Sequence, residues 1–236
     1  QRFVQFKLAG RDLGDDELDA DHEKEYHASQ LCSVAQLGKQ DPSPTLHLLT
    51  QKLTDAVAQY AGLQLSPPAT PQVLEHVHHA IRFVLQFGIE VLTDPDDPEA
   101  KPIPDPILLM GKRHERRPDA EHSNECCRLV RAVLSYAQCE DGYLEHAPPL
   151  VCPVVCRQQL TFLTRYVRSY LMPDADEYVD FCTTYATSFQ EGHELVEQCL
   201  GKVVRCLRVF SSEPSVVKHA ALLARALVTN RRAQRA

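Results

Sequence analysis

Apolar side chains recur along this chain at spacings of three and four, the repeat of a single helix face, and not at the spacing of two that marks a half-buried strand. Between Ser43 and Gly62 the inward set is Leu46, Leu49, Leu53, Ala56, Val57 and Tyr60. Ser43 stands where a cap belongs, Pro44 suits the first turn, and Gly62 ends the segment. Thr70 and Pro71 repeat the opening signal. A long stripe follows through Val73, Leu74, Val77, Ile81, Val84, Leu85 and Val91 to about Leu92, with Gly88 as a weak point. Upstream, a helix from about Asp21 to Leu37 turns Leu31, Val34 and Leu37 inward and stops at Gly38.

Asp94 to Pro106 breaks the pattern with five prolines in thirteen residues, which no helix accommodates. It reads as a loop or linker between a smaller helical part, residues 21–93, and a larger one, residues 107–236. A short apolar turn spans Ile107 to Met110. Ser123 then caps a helix whose inner face is Cys126, Leu129, Val130, Val133, Leu134 and Ala137. Another runs from Pro153 to Met172 on Val155, Leu160, Leu163, Val167 and Leu171, and Pro173 ends it. Asp174 with Glu177 resembles a capping box before an aromatic stripe of Tyr178, Phe181, Tyr185 and Phe189. After Gly192 come Leu195, Val196, Cys199, Leu200, Val203, Cys206, Leu207 and Phe210, and from Ser212 a last helix inward at Val216, Val217, Ala220, Leu223, Ala224 and Leu227. Val151 to Val155 is the one β-like run, and Pro153 interrupts it. The expectation is an all-α fold, one helical domain over residues 1–236 with residues 1–20 as an acidic, flexible lead-in.

Residues 195–228 carry an apolar helix, a Ser-Ser-Glu-Pro turn, and a proline-started helix with Val216, Val217, Lys218, Ala220, Ala221 and Ala224. This resembles one armadillo or HEAT repeat, in which paired alanines let neighbouring helices approach closely. The resemblance covers about one-seventh of the chain and has no matching period upstream, which a repeat array requires. It implies an armadillo/HEAT-like α-solenoid; an irregular helical bundle is the alternative.

The nine cysteines are odd in number and fall mostly on helix stripes, so they read as small buried hydrophobes of a reducing compartment, cytoplasm or nucleus, rather than as a disulfide framework. No apolar run approaches the roughly 20 residues of a membrane span. Beginning at Gln1, the sequence reads as a piece of a longer protein.

Candidate chemistry is sparse. His76 and His79 share a helix face beside Glu75 and His78, but a structural zinc site needs four ligands and no CxxC pair is present. Solvent-facing histidines account for the cluster, and no metal or cofactor is expected. Cys126 and Cys127 lie near a helix start and His122, yet Cys126 also belongs to the apolar stripe. Phosphate-binding glycine loops are missing. Charge segregation stands out instead. Asp12 to Glu25 holds eight carboxylates and a single lysine, whereas from Gly201 onward eight Lys or Arg face only Glu213. Arg157, Arg165 and Arg168 fall on one side of their helix, and Lys202, Arg205 and Arg208 on the polar side of a later one. Together they form an expected docking surface for an acidic peptide or protein. Lys112, Arg113, Arg116 and Arg117 form a separate basic cluster suited to nuclear import or phosphate contact.

The expected function is a non-catalytic interaction scaffold. A nucleic-acid-binding helical module is the alternative, disfavoured by a net charge of -7 and the absence of Trp. A metal-dependent enzyme using the histidines is a distant third.

Overall fold

The computed structural model describes residues 20–63, 71–94, 103–114, 124–171 and 193–228. Among them are eight α-helices and no strand. They are α1 (Ala20–Gln40), α2 (Pro42–Gly62), α3 (Pro71–Leu92), α4 (Asp105–His114), α5 (Glu125–His146), α6 (Pro153–Tyr166), α7 (His193–Val209) and α8 (Pro214–Val228). A 3-10 turn, Pro148–Leu150, leads into α6, and a π-helical turn, Val167–Leu171, prolongs it. The all-α expectation holds. The acidic residues 1–19 and the aromatic stripe Tyr178 to Phe189 lie outside the described residues.

Several boundaries differ from those read in the sequence. Helix α2 opens at Pro42 with Asp41 in the cap position, two residues ahead of the expected Ser43 cap, and Asp41 makes no side-chain cap bond. Helix α5 is capped by Asn124, whose side-chain oxygen accepts from the Cys126 amide at 2.9 Å. The expected turn at Ile107 to Met110 is part of a helix, α4. Helix α1 runs through Gly38 to Gln40 rather than stopping there. Gly38 serves packing instead: a Cβ would stand 3.1 Å from Thr45 Cγ2 and 3.4 Å from Val91 Cγ2, so its bare backbone lets α1 close on α2 and α3. Leu31 and Ala35 face inward with it, while Leu37, expected inside, is 73% exposed.

The helices form two layers. In one, α2 lies on α5 and α5 on α7; in the other, α1 lies beside α3, α3 beside α6, and α6 beside α8. Cross-layer packing joins α2 to α3 and α7 to α8. Contacts between side chains fix direction. Tyr143 hydroxyl donates to the Tyr60 carbonyl while His47 meets Glu125, so α2 and α5 run the same way. Arg165 pairs with Glu90 and, one turn on, Tyr170 donates to the Leu92 carbonyl, which makes α3 and α6 parallel. Lys39 reaches Asp94 and Cys32 reaches Glu90, aligning α1 with α3. Lys202 meets Glu140 and Arg208 approaches Glu145, aligning α7 with α5. The residues on either side of the proline-rich segment therefore pack on each other, through α2–α5 and α3–α6.

One apolar core runs through both layers. Its polar hub is Tyr60 on α2, fully buried, with its ring 4.6 Å from Tyr143 edge-on and 5.7 Å from Tyr136. The Tyr60 hydroxyl donates to the Leu150 carbonyl at 2.9 Å, tying α2 to the 3-10 turn. On α3, Gly88 leaves room for Leu129 of α5 and Phe162 of α6, which would lie 3.2 and 3.5 Å from a Cβ. No described helix is long and apolar enough to cross a membrane.

Candidate functional site

Helix α3 is buried on nearly every side from Ile81 to Leu92. Only Arg82, Gln86 and Glu90 escape, four residues apart and hence on one line along the helix. The parallel helix α6 lays Arg157, Thr161 and Arg165 alongside, with Arg168 one turn further, so the seam between the two helices carries the polar surface of this face. Arg165 is bound to Glu90 through a forked contact, and the exposed Cys32 thiol also reaches Glu90 at 3.7 Å. At the other end Arg157 comes close enough to Arg82 to disfavour its charge. Burial, then Arg157, pulls the Arg82 pKa below its ordinary value. Neither arginine has a carboxylate partner among the described residues. Arg168 is exposed and likewise has no carboxylate partner among them. Arg157 and Arg168 stand about 16 Å apart along the axis, at 1.5 Å per residue.

The second expected set of basic residues behaves differently. Lys202 is 1% exposed and lies between two carboxylates of α5, bonded to Glu140 and at 3.0 Å from Asp141. It does not line a surface. Arg205 binds the other oxygen of Asp141 at 2.6 Å, and Gly201 permits this: a Cβ there would stand 3.0 Å from the Arg205 guanidinium. Arg208 is two-thirds exposed and 4.0 Å from Glu145. These contacts spend most of the α7 charge internally. The outward side of α7 shows Leu200, Val204 and Leu207 instead; Leu200 and Leu207 were expected inside. No protein-family model matches this chain.

Burial alone would push the Lys202 ammonium toward neutrality, but Glu140, the Cys156 thiol, Asp141 and the Cys206 thiol hold its pKa above the ordinary lysine value. Glu140 is itself fully buried and accepts from the Tyr136 hydroxyl at 2.8 Å, so both its oxygens are satisfied.

The histidine cluster does not converge. Among the described residues no group of His, Cys, Asp and Glu is placed to hold a metal. Glu75, His76 and His79 are exposed, whereas His78 packs on Tyr60 at 5.6 Å between rings and sits 3.1 Å from the Leu150 carbonyl. A carbonyl can only accept, so His78 donates from Nε2. Burial lowers the His78 pKa below 6.5, more than this hydrogen bond and Glu140 raise it. A folded-state pKa below the unfolded one means stability that is present above about 6.5 and lost as the pH falls. The thermal midpoint is expected to drop on acidification from neutrality, and the drop should shrink in His78→Gln, as calorimetry across pH can show.

Cys126 and Cys127 are core residues, 0% and 1% exposed. The backbone of Lys112 and Arg113 belongs to the last turn of α4, while Arg116 and Arg117 lie outside the described residues. Arg82 was missed in the sequence. Its signal was there: three polar residues at intervals of four in an otherwise apolar run from Ile81 to Leu92 mark the one strip of that run that stays in water.

Proposed function

We propose that this chain is a non-catalytic interaction scaffold, an armadillo/HEAT-like stack that docks an acidic peptide along the α3–α6 seam. The observation that carries the reading is the Arg82–Arg157 pair, two neighbouring guanidiniums with no carboxylate partner among the described residues, followed by Arg168 on the same strip. Like charges held together cost free energy that an acidic ligand recovers, and guanidiniums grip carboxylates in bidentate fashion. Parallel neighbours within each layer are what repeated up-and-down helix pairs produce, and this supports the solenoid assignment. A nucleic-acid reading loses ground, since Arg165, Lys202 and Arg205 are already bound to carboxylates. A scaffold of this kind fits a cytoplasmic or nuclear setting.

The test is a titration of a fluorescein-labelled, glutamate-rich peptide at low salt, followed by anisotropy. Arg82→Glu with Arg157→Glu should weaken binding by at least about tenfold, or 1.4 kcal/mol, and added salt should weaken the wild type. The reversals are confined to the seam because altering Lys202 would disturb the fold itself. Equal affinity in a folded double variant, or tighter binding of short DNA or RNA than of peptide, removes the proposal.

A further inference from the structure

Cys156 on α6 and Cys206 on α7, fifty residues apart in sequence, bring their sulfurs to 3.4 Å. Both are fully buried. One turn before Cys206 lies Lys202, the ammonium held by Glu140 and Asp141. Cys199 makes the contrast: it is 0% exposed, and burial alone pushes its pKa up to about 12. We infer that Cys156 and Cys206 form a redox site, a dithiol that peroxide converts to a disulfide joining the two helices. The arrangement assigns a role to each sulfur. Either sulfur can donate its S–H to the other; Lys202 lies one turn before Cys206, and with Cys156 as the donor its hydrogen bond, then the ammonium, favours negative charge on Cys206 against burial.

The reaction balances with hydrogen peroxide as the sole oxidant. The Cys206 thiolate attacks one peroxide oxygen and the O–O bond breaks; the departing hydroxide takes up the thiol's proton and leaves as water, giving a sulfenic acid. Cys156 sulfur then attacks Cys206 sulfur, the S–O bond breaks, and its hydroxide leaves as a second water with the Cys156 proton. Two thiols lose two electrons and two protons, and peroxide gains both. Lys202 stays protonated throughout. Since both sulfurs are sealed from solvent, peroxide reaches them only through local opening of the helix packing, so the site responds slowly.

Peptide mapping of the wild-type chain is the test. Reduced protein is treated with hydrogen peroxide, alkylated with N-ethylmaleimide in denaturant, digested and analysed by mass spectrometry. The expected result is a Cys156–Cys206 linked peptide that dithiothreitol cleaves, with Cys126, Cys127 and Cys199 still alkylated. A Cys156→Ala variant should instead accumulate a sulfenic acid at Cys206 that dimedone traps. Full alkylation of both cysteines after oxidation overturns the inference, as does a mixture of disulfides without preference for this pair. The wild-type map decides even where the variant folds poorly.

Discussion

Lys202→Ala is expected to cost about 3–5 kcal/mol of folding stability, measured by chemical denaturation, more than removal of any exposed charge among the described residues. The loss comes less from the missing attraction than from what stays behind. Glu140 is left at 0% exposure with the Tyr136 hydroxyl as its one remaining side-chain partner among the described residues, and Asp141 is left with Arg205. Removing both charges is expected to be milder: Lys202→Met with Glu140→Gln leaves Tyr136 an acceptor and should recover at least roughly half of the loss. A double variant as unstable as the single one would mean that packing around the lysine stem, not charge, is what matters. The stabilisation that Lys202 supplies has a definite pH window. Its folded-state pKa exceeds that of the unfolded chain, so the contribution is complete through neutral pH and is lost only in strong alkali.

Tyr60→Ala is expected to match that cost, about 3–5 kcal/mol for an aromatic deleted from a closed core. Tyr60→Phe separates the two parts of the effect. It keeps the ring contacts with Tyr136, Tyr143 and His78 but leaves the Leu150 carbonyl with only the His78 ring as partner. About 1 kcal/mol should be lost. Urea titrations of both variants give the comparison. A Phe variant as damaged as the Ala variant would show that the link from α2 to the 3-10 turn governs the hub, and not the buried ring.

The helices were legible because each one repeats its own apolar face, and that information is local. Leu46, Leu49, Leu53 and Tyr60 were identified as inward and all are buried. Helix α7 shows where local information runs out. It has two apolar lines, Leu195–Cys199–Val203–Cys206 and Leu200–Val204–Leu207, and Lys202 falls within the first. Periodicity treats lysine as an outward residue and so rotates the helix the wrong way. The decision rests on Glu140 and Asp141, 62 and 61 residues earlier in the chain, which turn Lys202 inward and leave the second line in solvent. The same limit applied to the basic surface. Arg157, Arg165 and Arg168 do share a side of α6, but that Arg165 is neutralised by Glu90 and Arg157 reinforced by Arg82 follows only from the parallel seating of α3. Gly38 misled for a related reason: glycine reads as a stop, and here it makes room for a neighbour.

Because α1, α3 and α6 point the same way, their final carbonyl groups collect along one rim of the layer, and the peptide dipoles of three helices add there rather than cancel. Such a rim draws positive charge and hydrogen-bond donors to itself. Lys39, in the last turn of α1 and almost wholly buried, contributes an ammonium at that rim and grips Asp94 at 2.5 Å, while the Tyr170 hydroxyl is spent on the terminal Leu92 carbonyl. A lysine that sequence reading passes over thus ties the end of α1 to the end of α3 at that edge.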